Sequence, residues 1–236
     1  MEKEITKILD ELSVSKELNG YQYLYTAIEM TAKEPRMVLD GIGKLYEAIA
    51  KKYGITPRGV ESAVYSLLEK TWFYGDIDVQ NSYFGYTIDN SREKPTSSQF
   101  IAMIADHASL RAENDPLKTE VTKILHQLGV PANVKGYGYL RTAIMMAVKD
   151  PTLTDAMLAE IYQSVAKEHQ SNVGHIYRAI LRAINIAWDR GDEIWYVSYF
   201  GYESITLGDV AYNSVKKPTP GEFITVIANH INSKEH

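Results

Sequence analysis

The strongest fold signal in this chain is the run from Leu45 to Ala63, LYEAIAKKYGITPRGVESA. Ala50 is followed four positions later by Gly54, and Val60 comes six positions after that glycine. The small Ala50 lets two helices approach closely, Gly54 can adopt the positive φ that ends a helix, and Val60 anchors the second helix. The spacing therefore predicts a helix-turn-helix. Helical hairpins that contact no nucleic acid share this pattern, so the motif alone leaves the function open.

The motif lies inside an internal duplication. Shifting the sequence by 116 residues places Glu4–Leu9, EITKIL, on Glu120–Leu125, EVTKIL, and the register holds without a gap until Tyr86 meets Tyr202. Of these 83 aligned pairs, 29 are identical. A period above 100 residues indicates duplicated domains rather than a solenoid.

The second copy departs from the first at two places. It repeats the helix-turn-helix spacing with Ala166 and Ile176, but Gln170 stands at the position of the glycine. We expect the turn there to differ or to adopt the left-handed conformation at an energetic cost. The second copy also carries seven extra residues, and the segment 205–212 alternates about a Gly-Asp pair. This pattern predicts a small hairpin.

Helical apolar spacing predicts an all-α fold nearly throughout both copies. Pro35 should end the second helix, and Met37–Tyr53 should form one long helix or two shorter ones. Capping boxes predict the start of the last helix at Thr96–Gln99 and at Thr219–Glu222. We therefore predict two tandem domains, residues 1–112 and 117–236, each with five or six helices and a helix-turn-helix.

The composition limits the classes of function. The net charge is −5, with −4 before residue 114 and −1 after it, so any DNA contact must come from a local basic patch. No cysteine, paired histidine, phosphate-binding loop, nucleophile elbow or paired-acid motif is present. We predict that the chain is not an enzyme and needs no metal or cofactor. The absence of a signal peptide or long apolar run predicts a cytoplasmic protein.

Both copies resemble the C-terminal DNA-binding domain of the stage zero sporulation protein A response regulator family. The resemblance spans almost all of each copy. It rests on KGYGYLRTAI at Lys135–Ile144, IAKKY at Ile49–Tyr53, WDRG at Trp188–Gly191, FGYT at Phe84–Thr87 and KPTSSQFIAM at Lys94–Met103. It implies six helices per domain, major-groove insertion of the helices that begin at Pro57 and Val173, and two domains that bind tandem promoter boxes head to tail.

The recognition helices depart from the family's pattern, Arg-Val-Glu-Arg-Ala-Ile-Arg, in which the Glu and the two Arg residues after it read bases. In the first copy the pattern falls on Gly59–Tyr65 and retains, of the three base-reading positions, only Glu61. In the second copy it falls on His175–Leu181 and retains, of the same three positions, only Arg178. Because guanine readout needs a bidentate Arg or Lys donor, the first helix should not read the family's box. No receiver domain precedes either copy in this sequence, so we expect no control by phosphorylation.

The resemblance and the charge pattern give two sets of candidate DNA contacts. Candidates for base contacts lie on the two recognition helices: Arg58, Glu61, Ser62, Tyr65, His175, Tyr177, Arg178, Leu181 and Arg182. Candidates for phosphate contacts are cations near the turns and helix ends: Lys51, Lys52, Lys94, Lys167, Arg190, Lys216 and Lys217. The alternative for each charged residue is an ordinary solvated helix face.

The leading hypothesis is a transcriptional regulator that binds double-stranded DNA at tandem promoter boxes as a covalent pseudo-dimer. The alternative is a protein-interaction module or an antagonist of a related regulator, with DNA binding weakened or lost. A related regulator and RNA polymerase are then the expected protein partners. Neither hypothesis involves a membrane or a small-molecule substrate.

Overall fold

The protein is described here from a computed structural model, for residues 1–84, 94–150, 155–191, 193–201, 203–207, 210–214 and 216–234. It divides into two compact units, Met1–Asp115 and Pro116–His236. The helices of the first unit are α1 (Glu2–Glu11), α2 (Gly20–Lys33), α3 (Arg36–Leu39), α4 (Ile42–Tyr53), α5 (Pro57–Tyr74), α6 (Ile77–Phe84) and α7 (Ser97–Glu113). Those of the second are α8 (Pro116–Gln127), α9 (Lys135–Lys149), α10 (Asp155–Glu168), α11 (Val173–Arg190), α12 (Glu193–Phe200) and α13 (Pro220–Lys234).

The described part of each unit holds six helices of eight or more residues, and α3 adds a single turn to the first. This confirms the predicted all-α fold in two tandem copies. The run Met37–Tyr53 forms two helices rather than one, because the chain turns at Gly41 with φ 118°. Among the described residues, no helix is both long enough and apolar enough to cross a membrane.

The insertion in the second unit forms the predicted hairpin. Strands β1 (Glu203–Leu207) and β2 (Val210–Ser214) pair antiparallel, with Glu203 opposite Ser214 and Leu207 opposite Val210. This register leaves the Gly-Asp pair at 208–209 as the connection, which lies outside the described residues. A two-residue connection is the commonest way to join two antiparallel strands.

One helix is central in each unit, α2 in the first and α9 in the second. Helix α2 packs against α5 and α7, and α9 packs in the same way against α11 and α13. The inner face of α2 buries Leu24, Ala27 and Ile28 completely. Both central helices carry the same sequence, Gly-Tyr-x-Tyr-Leu-x-Thr-Ala-Ile. This shared sequence therefore lies at the centre of the core in both units.

Two equivalent glycines bring each central helix against its recognition helix. A methyl group on Gly20 would overlap the carbonyl of Ala63 in α5. A methyl group on Gly136 would overlap the carbonyl oxygen of Ala179 in α11 and would lie 2.8 Å from the Cβ of Ala183. Any side chain larger than hydrogen at these positions would push the two helices apart.

The turn between the two helices of the motif is left-handed in both units. Gly54 has φ 67°, as predicted, and Gln170 has φ 51°. The backbone amides of Ile55 and Ser171 donate to the carbonyls of Ala50 and Ala166. The second copy therefore keeps the same turn with a residue for which left-handed φ is unfavourable.

We expect Gln170→Gly to raise the free energy of unfolding of the second unit by about 0.5–1 kcal/mol, because glycine removes the cost of left-handed φ. The reciprocal change, Gly54→Gln, should lower that of the first unit by about 1 kcal/mol. Differential scanning calorimetry of the full chain measures both changes. Gln170→Ala is the control, because alanine keeps the strain while removing the amide. An equal gain from Gln170→Ala and Gln170→Gly would contradict this explanation.

Candidate nucleic-acid interface

The recognition helix of the first unit, α5, begins at a well-formed cap. The hydroxyl of Thr56 accepts a hydrogen bond from the backbone amide of Gly59 at 3.1 Å, and Pro57 occupies the first turn. Ala50 is buried in α4, which packs against α5, and Val60 is fully buried in the first turns of α5. The residues predicted to build the motif therefore hold α5 against α4, and they leave the opposite face of α5 in solvent.

The recognition helix of the second unit, α11, is built in the same way with different chemistry at its cap. The side-chain oxygen of Asn172 accepts from the backbone amide of His175 at 2.9 Å. Ala166 and Ile176 are buried, as their counterparts are in the first unit. Both units thus present a helix of 18 residues that is capped at the turn and buries a stripe of apolar side chains beginning at Val60 or Ile176.

The outer face of α5 carries all four candidate base contacts of the first copy. Arg58, Glu61, Ser62 and Tyr65 are exposed, at positions spaced by one helical turn. The Tyr65 hydroxyl accepts a hydrogen bond from the ammonium group of Lys94 at 3.1 Å, and this ammonium also pairs with the Glu69 carboxylate. Lys94 was predicted as a phosphate contact, and its charge is already neutralised by Glu69.

The outer face of α11 is basic. His175, Tyr177, Arg178 and Arg182 are exposed, and Leu181 is half-buried. Within the part of the chain that the structure describes, no carboxylate lies within ion-pair distance of Arg178 or Arg182, so both guanidinium groups remain available to a ligand. Arginine in the major groove can donate two hydrogen bonds to one guanine, whereas the Glu61 carboxylate on α5 cannot donate any.

Tyr177 differs from the other candidates because it faces its own unit as well as solvent. Its ring packs edge-on against Tyr162 of α10, with the centroids 5.9 Å apart. Burial raises the pKa of Tyr162 to about 12, and the neighbouring Tyr177 adds to this shift. Tyr177 therefore contributes to packing between α10 and α11, and it is a less available base contact than Arg178.

The remaining phosphate candidates lie at helix ends. Lys51 and Lys52 are exposed in the last turn of α4, with the Lys52 ammonium 5.5 Å from the centroid of the Tyr53 ring. Lys167 and Arg190 are exposed near the ends of α10 and α11. Lys216 and Lys217 are exposed before α13. Cations at helix ends can reach phosphates along a groove, and they are also typical of a solvated surface.

Both last helices begin at the predicted capping boxes. The Thr96 hydroxyl accepts from the Gln99 amide, and the Gln99 side chain accepts from the Thr96 amide at 2.8 Å. Thr219 and Glu222 make the same exchange in α13. Hydrogen bonds from Thr219 hold the pKa of the Glu222 carboxyl below its usual value. Lys216 also lies 4.0 Å from this carboxylate, so it is partly neutralised.

One exposed feature was not predicted from the sequence. Phe73 and Tyr74, at the end of α5, are 78% and 80% exposed, and their rings contact each other with centroids 5.0 Å apart. The second copy has Asp189 and Arg190 at these positions. The helical period could have identified this pair, because both residues fall off the apolar stripe that ends at Trp72.

Comparison with known protein families matches the chain twice to one family, described as Sporulation initiation factor Spo0A C terminal. The matched residues are 5–108 and 121–231, which together cover most of the chain and correspond to the two structural units. The members of this family are DNA-binding effector domains rather than enzymes. The chain therefore belongs to the Spo0A C-terminal domain family and carries two copies of that domain in tandem.

Proposed function

We propose that the chain is a cytoplasmic transcriptional regulator that places its two helix-turn-helix modules on adjacent boxes of one DNA duplex. The observation that carries this proposal is the basic face of α11, where Arg178 and Arg182 are exposed without a paired carboxylate among the described residues. These guanidinium groups lie one helical turn apart, so both can face the same groove. The second copy then supplies most of the affinity.

The first copy contributes mainly through the covalent link. Its helix α5 presents Glu61, Ser62 and Tyr65, which cannot make the bidentate guanine contact of arginine. The cations beside its turn, Lys51, Lys52 and Arg58, can contact phosphates without reading sequence. Tethering raises the effective concentration of a weak module to the millimolar range, so weak contacts suffice once the second copy is bound. The result is an asymmetric pseudo-dimer.

Fluorescence anisotropy of labelled promoter fragments at two salt concentrations tests this proposal. We expect a Kd in the micromolar range or tighter at about 50 mM salt, and a loss of affinity of tenfold or more at about 200 mM, because phosphate contacts release counterions. An unlabelled fragment without the bound box is the competitor control. Weak binding that does not depend on salt would contradict DNA binding as the function.

The exposed pair Phe73 and Tyr74 favours a second candidate function, docking to another protein. Exposed neighbouring aromatic side chains are costly in water and are enriched at protein interfaces. The expected partner is a related regulator or RNA polymerase, whose activity the acidic first copy would then modulate. Replacing the pair with the residues of the second copy, Phe73→Asp and Tyr74→Arg, should abolish such docking while leaving DNA affinity within about twofold. Co-purification with RNA polymerase and with the related regulator measures the first effect, and anisotropy measures the second.

A further inference from the structure

The first unit contains a cavity of about 310 Å³ beside the recognition helix. Helices α4, α5 and α7 form its walls, and the aromatic side chains among the lining residues are Tyr46, Tyr65, Trp72 and Phe100. Ligand sites in proteins begin at about this volume and combine apolar walls with a few polar groups. The cavity is therefore large enough for a small organic molecule with one aromatic ring.

The charges that line the cavity favour a cation. Two carboxylates, Glu61 and Glu69, face one ammonium group, that of Lys94. This ammonium pairs with Glu69 and lies 4.7 Å from the centroid of the Tyr65 ring. The cavity thus already holds one ammonium by a carboxylate and an aromatic face, which is the chemistry that recognises organic amines. The carboxylate of Glu61 remains as the counter-charge for a second cation.

A buried donor in the cavity lining lacks a partner. Trp72 is 7% exposed, and its indole Nε1–H has no hydrogen-bond acceptor among the described residues. Leaving a buried donor unsatisfied is unfavourable, and such groups in native proteins call for an explanation. This nitrogen has almost no accessible surface, so Trp72 lines the cavity with ring carbons rather than with its N–H.

The second unit carries different side chains at the corresponding positions. The position of Glu61 is taken there by Tyr177, whose ring packs edge-on against Tyr162, the counterpart of Tyr46. The position of Glu69 is taken by Asn185, so neither carboxylate is retained. The two duplicated copies therefore differ at the residues that give the cavity its charge and its space.

We propose that the first unit binds a small aromatic amine in the cavity between α4, α5 and α7. The ring packs among Tyr46, Trp72 and Phe100, and the ammonium group pairs with Glu61. Because Glu61 also belongs to the outer face of α5, occupancy of the cavity changes the surface that the first copy presents. This site is independent of the DNA contacts proposed for α11.

Tyramine is the probe, because it combines an aromatic ring with an ammonium group. The experiment titrates it into the ¹⁵N-labelled full chain and follows the three tryptophan indole resonances, assigned with Trp72→Phe. We expect the Trp72 resonance to shift with a Kd of about a millimolar or tighter, as suits a ligand of about ten non-hydrogen atoms. Trp188, the counterpart of Trp72, and Trp195 should not move. The matched anion, 3-(4-hydroxyphenyl)propionate, should bind at least about tenfold more weakly.

Three variants separate this site from general adsorption of the probe. Glu61→Tyr, which copies the second unit, should abolish the shift, whereas Ser66→Tyr adds the same ring to an exposed position of α5 outside the cavity and should leave the Kd unchanged. Glu61→Gln should weaken tyramine by about fivefold. Calorimetry of each variant, with the unfolding transition of the first unit retained, shows that the substituted unit is folded. An unmoved Trp72 resonance at about 10 mM tyramine, equal responses of the two tyrosine variants, or equal binding of the anion would overturn the proposal.

Discussion

Replacing Arg178 and Arg182 together with serine should reduce the affinity of the full chain for DNA by about a hundredfold or more. Each bidentate contact between arginine and guanine contributes about 1–3 kcal/mol, and both side chains are exposed on one face of α11. Serine is the informative replacement, because Ser62 and Ser66 stand at the equivalent positions of α5. The variant therefore gives the second copy the polar surface of the first at these two positions. Fluorescence anisotropy at a fixed salt concentration measures the loss.

The reciprocal variant and a distant one serve as controls. Ser62→Arg with Ser66→Arg should strengthen binding by about tenfold, because it places guanidinium groups at the same positions of α5. Arg36→Ser, which removes one exposed cation from α3, should change the affinity by less than about threefold. If Arg36→Ser and the α11 variant lost similar affinity, the effect would come from net charge alone, and α11 would not be the reading surface.

Gly136→Ala should lower the free energy of unfolding of the second unit by about 3 kcal/mol, at the upper end of the usual cost of overpacking. The added methyl group would overlap the carbonyl oxygen of Ala179, and a backbone atom within a helix cannot move aside as a flexible side chain does. Helix α9 must then shift away from α11 and open the core. Calorimetry of the full chain should show a lower transition temperature for one unit and no change in the other.

Gly138→Ala is the matched control for this prediction, because it makes the same substitution two residues later in α9. The nearest atom to a methyl group at Gly138 is 4.0 Å away, on His169. Alanine should therefore stabilise the unit by about 0.5–1 kcal/mol through its better helix propensity. If the two substitutions change the free energy of unfolding in opposite directions, the loss at Gly136 is due to the contact with Ala179. Similar losses at both positions would show instead that α9 tolerates no added methyl group.

Much of the architecture follows from local sequence features. The offset of 116 residues, the capping residues Thr56, Thr96 and Thr219, and the left-handed position of Gly54 each depend on side chains and backbone within one or two turns. Hydrogen bonds at caps and turns join residues three or four positions apart, so their pattern can be read from the chain directly.

Features of the candidate site that join distant segments could not be predicted in this way. The pairing of Lys94 with Glu69 neutralises a cation that the sequence offered as a phosphate contact. The packing of Tyr177 on Tyr162 turns a candidate base contact toward its own unit. In both cases the availability of the side chain depends on a partner in another helix. Spacing along one helix carries no information about that partner.

The duplication, the all-α class, the helix-turn-helix and its turn were all set by residue type and spacing within the chain. Three features depended on the tertiary structure. They are the close contact of Gly136 with Ala179, the cavity between α4, α5 and α7, and the unpaired state of Arg178 and Arg182 among the described residues. The physical reason is one of range. Periodicity and capping act through neighbouring backbone groups, whereas close contact, enclosed space and ion pairing arise only where packing brings distant residues together.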